Sequence, residues 1–220
     1  MTSRFSRTLL VAIPLGLWLN VVTCPAAAEV LRITVVDTAS GETVTDAVVE
    51  LVALDGTAPP AAPREAVVDQ RDKEFVPPVT VVPVGSRVAF PNSDDILHHV
   101  YSFSPAKTFD IPLYGRNDNA GYSQVFDSPG VVEIGCNIHD WMLAYIYVSD
   151  AHHAQVSDPA GQVEFLDVAP GTYRLQVWHS RLDAEMPVQR DMRIEAGADQ
   201  TLSVSVELGR DRRLRRAPST

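Results

Sequence analysis

From residue 29 onward the chain never sustains the apolar period of an amphipathic helix. Short runs rich in Val, Ile, Leu and Tyr recur instead, separated by clusters of Gly, Pro, Asn and Asp. Leu202, Val204, Val206 and Leu208 alternate with Thr201, Ser203, Ser205 and Glu207. Tyr173, Leu175 and Val177 do the same after the turn at Pro170-Gly171. Alternation by two puts successive side chains on opposite faces of a strand, one to bury and one to wet. The expectation is an all-β chain of packed sheets.

The first residues are excluded from that fold. Arg4 and Arg7 form a positive head, Leu9 to Val22 is a short apolar run, and Ala26-Ala27-Ala28 is the small-residue site a signal peptidase cuts. Residues 1–28 are therefore expected to be an export leader, leaving no membrane span once cleaved and directing the chain to the periplasm. An uncleaved N-terminal anchor is the alternative. Val21-Val22-Thr23-Cys24 loosely resembles a lipobox, but Thr before Cys24 fits that poorly, so lipid anchoring is not expected. Of the two cysteines, export would leave only Cys136. A lone thiol in an oxidising compartment is exposed to mispairing unless it is buried or occupied, and a metal is a frequent occupant. The formal net charge of -10 argues against nucleic acid, whose phosphates attract basic surfaces, and favours steering towards basic partners. The basic end, residues 210–220 with Arg210, Arg212, Arg213, Arg215 and Arg216, reads as a solvated tail.

Two composition shifts divide the remainder. Asp55 to Arg64 is rich in Pro and Ala, and Ser149 to Asp158 is polar with paired histidines. Between them lies a block, residues 65–150, of a size that suits a small β-sandwich. The flanks look like two halves of one unit. Gly41-Glu42-Thr43-Val44-Thr45-Asp46-Ala47-Val48-Val49-Glu50-Leu51 resembles the opening strands of the carboxypeptidase-regulatory-like (transthyretin-like) sandwich. Gly161 to Phe165 and Pro170 to Leu175 resemble its closing strands. The resemblance implies a discontinuous sandwich over 29–60 and 151–209, with the central block inserted in a loop; β-modules in series are the simpler alternative.

The chemistry is concentrated around the cysteine. Val132, Ile134 and Cys136 alternate, placing the thiol on the inward face at a strand end. Asn137 to Trp141 must turn tightly, and Met142 opens the next strand with Ala144, Ile146 and Val148 on one face. One hairpin thus offers a thiol, an imidazole (His139) and a thioether to one spot. A fourth ligand must come from elsewhere, and the other histidines before residue 150 are His98 and His99. Adjacent strand residues face opposite sides, so only one of the pair can serve. Two histidines, a cysteine and a weak axial methionine suit copper cycling between Cu(I) and Cu(II). Zinc is the competing ion, but a thioether is a poor zinc ligand.

Cys136-x2-His139-x2-Met142 resembles the ligand loop of amicyanin, within the cupredoxin family that also includes plastocyanin and pseudoazurin. Val84-Gly85-Ser86-Arg87-Val88-Ala89-Phe90-Pro91-Asn92 looks like the strand preceding that family's first ligand, and Leu97-His98-His99-Val100 resembles its Pro-His-Asn-Val. Phe126 to Gly130 matches its Phe-x3-Gly lead into the cysteine. The likeness spans residues 74 to 149. It implies a Greek-key cupredoxin sandwich and names His98, Cys136, His139 and Met142 as metal ligands. It further implies one-electron transfer rather than catalysis, with a c-type cytochrome or an amine dehydrogenase as partner, as in proteins named for methylamine utilisation.

Three departures bear on the site. His99 stands where relatives carry an Asn that pins the ligand loop. Ile138 and Asp140 stand where amicyanin has prolines. Ile138 keeps an N–H that proline lacks, so it is expected to donate to the Cys136 sulfur and raise the potential. Third, the copper-binding block is only part of the chain. No His-x-His cluster, nucleophile–base pair, phosphate loop or HExxH appears, so no enzyme is expected. A copper carrier or sensor, or a non-redox binding module, is the competing class. His152 and His153 read as solvent-facing, and His179 as a satisfied sheet histidine. Trp141 reads equally as packing or as part of an apolar patch at the His139 edge.

Overall fold

The computed structural model describes residues 30–56, 58–118, 122–182, 187–197 and 199–210. The expected leader, with Cys24, and the tail beyond Arg210 lie outside the described residues. Among those described, regular structure is all strand except one short 3-10 turn at Arg116–Asp118. No described helix is long and apolar enough to cross a membrane.

The chain opens with β1 (Leu31–Asp37) and β2 (Val48–Ala53). The central stretch contributes β3 (Glu65–Val67), β4 (Asp69–Arg71), β5 (Glu74–Val76), β6 (Val79–Pro83), β7 (Ser86–Ala89), β8 (His98–Ser104) and β9 (Lys107–Tyr114). It continues through β10 (Ser123–Phe126), β11 (Gly130–Gly135) and β12 (Leu143–Ser149). The chain then returns with β13 (His153–Val156), β14 (Gln162–Phe165), β15 (Gly171–Trp178), β16 (Val188–Ile194) and β17 (Gln200–Val206).

These strands make four main sheets, stacked as two sandwiches. The order β14-β1-β17 faces β13-β2-β15-β16, and β1 runs antiparallel to β14 but parallel to β17. Between them lie Leu31, Ile33, Val35, Val49, Leu51, Phe165, Tyr173, Leu175 and Val204, all buried. In the second pair, the five-stranded sheet β6-β12-β11-β8-β9 faces β10-β7-β3. Its core holds Val82, Val88, Phe90, Val100, Ile111, Phe126, Ile134, Ile146, Cys136 and Met142. The hairpin β4–β5 stands beside this core and contributes Phe75 to it.

The sandwiches meet through β2 and β12, each buried on both faces. Val49 and Leu51 enter the first core while Val48 turns to the junction; Ala144, Ile146 and Val148 enter the second core while Tyr145 and Tyr147 turn to it. Val79, Val81 and Trp178 complete this third apolar layer. Within it sits the carboxylate of Glu50, only 4% exposed, which accepts from the hydroxyls of Tyr147 at 2.7 Å and Ser149 at 2.6 Å and from the Gln176 amide at 3.1 Å. A buried carboxylate without such donors would cost several kcal/mol, on the order of 3 or more. The fold is thus the all-β, sandwich class read from the alternation.

Candidate metal centre

The site lies at one end of the second sandwich, where β8, β11 and the loop before β12 converge. On β11, Val132 and Ile134 point inward, and Cys136 continues their alternation just past the strand, 3% exposed. Residues 137–142 form a compact turn closed by the Met142 N–H donating to the His139 carbonyl at 2.9 Å. Pairing of Gly135 with Tyr101 sets β8 alongside, with His98 at its start and wholly buried. One ring nitrogen each from His98 and His139 and the Cys136 Sγ lie within 4.8 Å of one another. Cys136 Sγ is 3.8 Å from His139 Nδ1, and the two imidazole centroids are 4.9 Å apart.

Asp94 orients the first imidazole. Its carboxylate lies 2.7 Å from His98 Nε2 and accepts the backbone N–H groups of Asp72 at 2.7 Å and Lys73 at 2.9 Å. Asn92 holds the loop bearing it, accepting the Asp94 N–H and donating to the carbonyls of Ile96 and Tyr114. With a carboxylate on Nε2, the proton belongs there, and the lone pair falls on Nδ1. That Nδ1 is buried and has no hydrogen-bond partner. Burial raises the Asp94 carboxyl, but His98 and the two amides outweigh it and hold the group below its usual value.

Burial alone would push the Cys136 thiol up. The neighbouring His98 and the backbone N–H groups of His99, Ile138 and His139 reverse this and hold it below its ordinary value. His98 moves the other way: burial lowers it, yet the Cys136 sulfur and Asp94 raise it above the usual histidine range. His139 is lowered by burial, and by the positive charge of His98 and Lys73. These neighbours thus favour the charged form of the sulfur relative to a free cysteine. Two imidazoles and a thiolate, with no carboxylate in the group itself, suit a thiophilic ion and not an oxygen-seeking one.

The other expected site residues fall as follows. Met142 is buried in the same core, one residue before β12. His99 does not pin the ligand loop with its ring: its Nε2 lies 2.9 Å from Asp110, and only its backbone N–H reaches the Cys136 sulfur. The β8–β9 register shifts between His98 and Val100, an irregularity at which both adjacent histidines are buried. Among the groups that lower the Cys136 thiol is the Ile138 N–H, which a proline there would lack. Trp141 packs edge-on to His139 at 5.2 Å and donates from Nε1 to the Lys73 carbonyl at 3.1 Å.

His153 departs from the solvent-facing expectation. β13 pairs with β2, and the His153 ring packs on Phe165 at 5.6 Å, while His152 remains exposed. His179 is buried just beyond β15, and its Nδ1 accepts the Arg181 N–H. Asp94 was not singled out by sequence reasoning; the available signal was a carboxylate four residues before His98 in a turn-forming Asn-Ser-Asp-Asp stretch.

No family model matches the chain, and no curated protein matches it in sequence. Solved structures do. A purple cupredoxin from Nitrosopumilus maritimus aligns at 23% identity and a TM-score of 0.34, over 38% of this chain and 99% of its own. A reduced tryptophan-to-tyrosine variant of amicyanin aligns at 22% identity and a TM-score of 0.35, over 47% and 99%. A copper-containing nitrite reductase from Thermus scotoductus aligns at 24% identity and a TM-score of 0.36, over 44% of this chain and 27% of its own. Each likeness covers less than half of this chain.

Proposed function

We propose that this chain is an exported type I copper protein that carries single electrons between redox partners, with His98, Cys136, His139 and Met142 holding the ion. The observation that carries the reading is the convergence of two imidazoles on a buried sulfur whose thiolate is favoured by three backbone N–H groups. The unpartnered Nδ1 of His98 supports it, because a buried polar atom without a partner costs free energy that coordination would offset. Copper, when bound, would supply the one-electron couple. The protein's part is to hold donors that serve both oxidation states in a fixed arrangement, so that little moves when the charge changes.

Under this reading residues 65–150 are the copper-binding, cupredoxin-like unit. Residues 29–60 and 151–209 together make the carboxypeptidase-regulatory-like sandwich into which it is inserted. The compartment is the periplasm, and the partners are redox proteins such as a c-type cytochrome or an amine dehydrogenase. The test is the absorption spectrum of the Cu(II)-loaded protein beside that of Cys136→Ser. A visible thiolate-to-copper band that the variant lacks is expected. Colourless, copper-free protein after loading would end the proposal, and rapid loss of Cu(I) to a chelator would replace electron transfer by copper carriage.

A further inference from the structure

The outer face of the five-stranded sheet is used unevenly. Over β6 and β12 it is covered by the first sandwich, through Val79, Val81, Tyr145 and Tyr147. Val131 at one end of β11 still packs on the junction layer, but over β8 and the Glu133–Gly135 end of β11 the same face continues without that cover. There Glu133 lies opposite Tyr145, and Gly135 opposite both Leu143 and Tyr101. Phe103, two residues along β8, is 77% exposed. A groove of about 960 Å³ runs along this open half, bounded by Tyr101, Phe103, Glu133 and Asp140, and reaches Cys136 and Met142.

The open face is connected to the candidate centre by a column of rings. His99 and Tyr101 are 5.3 Å apart between centroids, and Tyr101 and Phe103 are 5.2 Å apart. The groove beside the column reaches the sulfur, since Cys136 lines it together with Tyr101 and Gly135. Tyr101 also lies over Gly135, where an added Cβ would stand 3.1 Å from its hydroxyl; glycine therefore permits the approach beside the cysteine. The rim is acidic. Glu133 and Asp140 line it, and Asp110 stands opposite Tyr101 in the register, with its side chain 67% exposed. Neither Lys nor Arg lines the groove, and Lys107 nearby is paired with Asp127 at 3.6 Å.

We propose that this open half-face, centred on Tyr101 and Phe103, docks a redox protein whose exposed cofactor edge is ringed by lysine and arginine. The inference rests on the copper reading for its electron, but not for its surface. Acidic lining selects a basic partner and disfavours a second copy of this chain, whose formal net charge is also -10. An exposed Phe103 stacked on a half-buried Tyr101, beside an intramolecular apolar junction, supplies uncovered contact area for such a partner. With copper held by His98, Cys136 and His139, the surface would let one electron pass to an oxidised centre of the partner, the copper losing that electron and no bond or proton changing hands.

The test is an NMR titration of the metal-free, full-length chain with a reduced lysine-rich c-type cytochrome as the probe. Shifts should centre on the amides of residues 99–104 and 131–137 and collapse when salt is raised to roughly 0.5 M. Glu133→Gln should weaken binding roughly three-fold, and Phe103→Ser by at least as much. Shifts centred on residues 96–97 and 138–141 would overturn the proposal, as would none at all. So would groove resonances that move when residues 211–220 are deleted while cytochrome binding tightens, because the chain's own basic tail would then be the occupant. The titration requires no copper. A blue protein without groove shifts sinks the docking surface alone, and groove shifts in a protein that never turns blue sink the copper reading alone.

Discussion

The two cores on either side of Tyr145 and Tyr147 obey different rules. The core between the β1 and β2 sheets is aliphatic and aromatic, from Leu31 and Ile33 through Leu175 to Val206. The core beneath the five-stranded sheet ends instead in Cys136, Met142 and the imidazole of His98. Among the described residues, every buried side-chain polar atom without a partner, on Asp69, Gln70, Thr80, His98 and His99, belongs to this second sandwich. Each such atom costs about 1–3 kcal/mol. Among the described residues the first sandwich thus leaves no such atom, while the second leaves five, two of them on the adjacent histidines at the candidate metal centre and the others on β4 and β6. Departures of this kind from local consistency are where functional sites are looked for in a fold.

Metal should close that gap, and this is the largest effect expected. Saturating copper, at about a thousand times its dissociation constant, would stabilise the folded chain by about 4 kcal/mol. Hydrogen exchange should slow at Val132 and Ile134, beside Cys136, more than at Val163 or Val204 in the scaffold core. Equal slowing in both sandwiches would mean that they unfold as one unit, and no slowing in either would remove the metal from the account.

The converse perturbation is Leu51→Ala. Leu51 is fully buried in the scaffold core, away from the second core. Truncation should cost about 3 kcal/mol, seen as a lower denaturation midpoint. The absorption spectrum of the copper-loaded protein should not change. A shifted or bleached band would show that the junction through Glu50, Tyr147 and Ser149 transmits scaffold packing to the site.

What the sequence disclosed follows from which faces are wet. β17 alternates because one of its sides meets solvent, and β15 because its second side carries the polar Thr172, Arg174 and Gln176; both were legible. β2 and β12 are buried on both sides, so neither carries an apolar alternation; for β12 the face followed instead from counting in twos from Met142, and Ala144, Ile146 and Val148 do enter the second core, while β2 offered no such anchor. Cys136, His139 and Met142 could be put forward together because one short turn carries them; strand alternation left His98 and His99 as alternatives, and the motif resemblance chose His98, which the structure brings together with Cys136 and His139. His153 was misread because its polar neighbours suggest a loop, whereas pairing with β2 draws it in against Phe165. Asp94 stayed hidden because the amides it accepts belong to Asp72 and Lys73, 22 and 21 residues away, in a separate hairpin. No local pattern announces such a contact.

That hairpin contact gives the next test. Asp94→Asn keeps the shape but loses the charge that fixes the His98 tautomer and accepts the two amides. Copper affinity should fall roughly ten- to a hundred-fold, measured by competition with a chelator of known affinity. The cost belongs to the second sandwich only, so the scaffold's exchange rates should hold. Unaltered affinity would show that burial alone orients His98.

The smallest effect separates the sulfur's donors from the packing around it. Ile138 is 48% exposed, so replacing its side chain removes little from either core. Its backbone N–H is one of three that donate to the Cys136 sulfur. Ile138→Pro deletes that donor and leaves those of His99 and His139. Donation stabilises charge held on sulfur and reduces what the thiolate gives to oxidised copper, so its loss should favour Cu(II). One hydrogen bond contributes about 1 kcal/mol net, which for one electron corresponds to a fall in potential of roughly 40 mV. Cyclic voltammetry reads this directly, with the thiolate-to-copper band confirming that the ligands themselves are unchanged. A variant whose potential equals or exceeds that of the parent would place the tuning in the burial of the sulfur instead of its amide donors. The contrast between the two cores would then rest on packing alone.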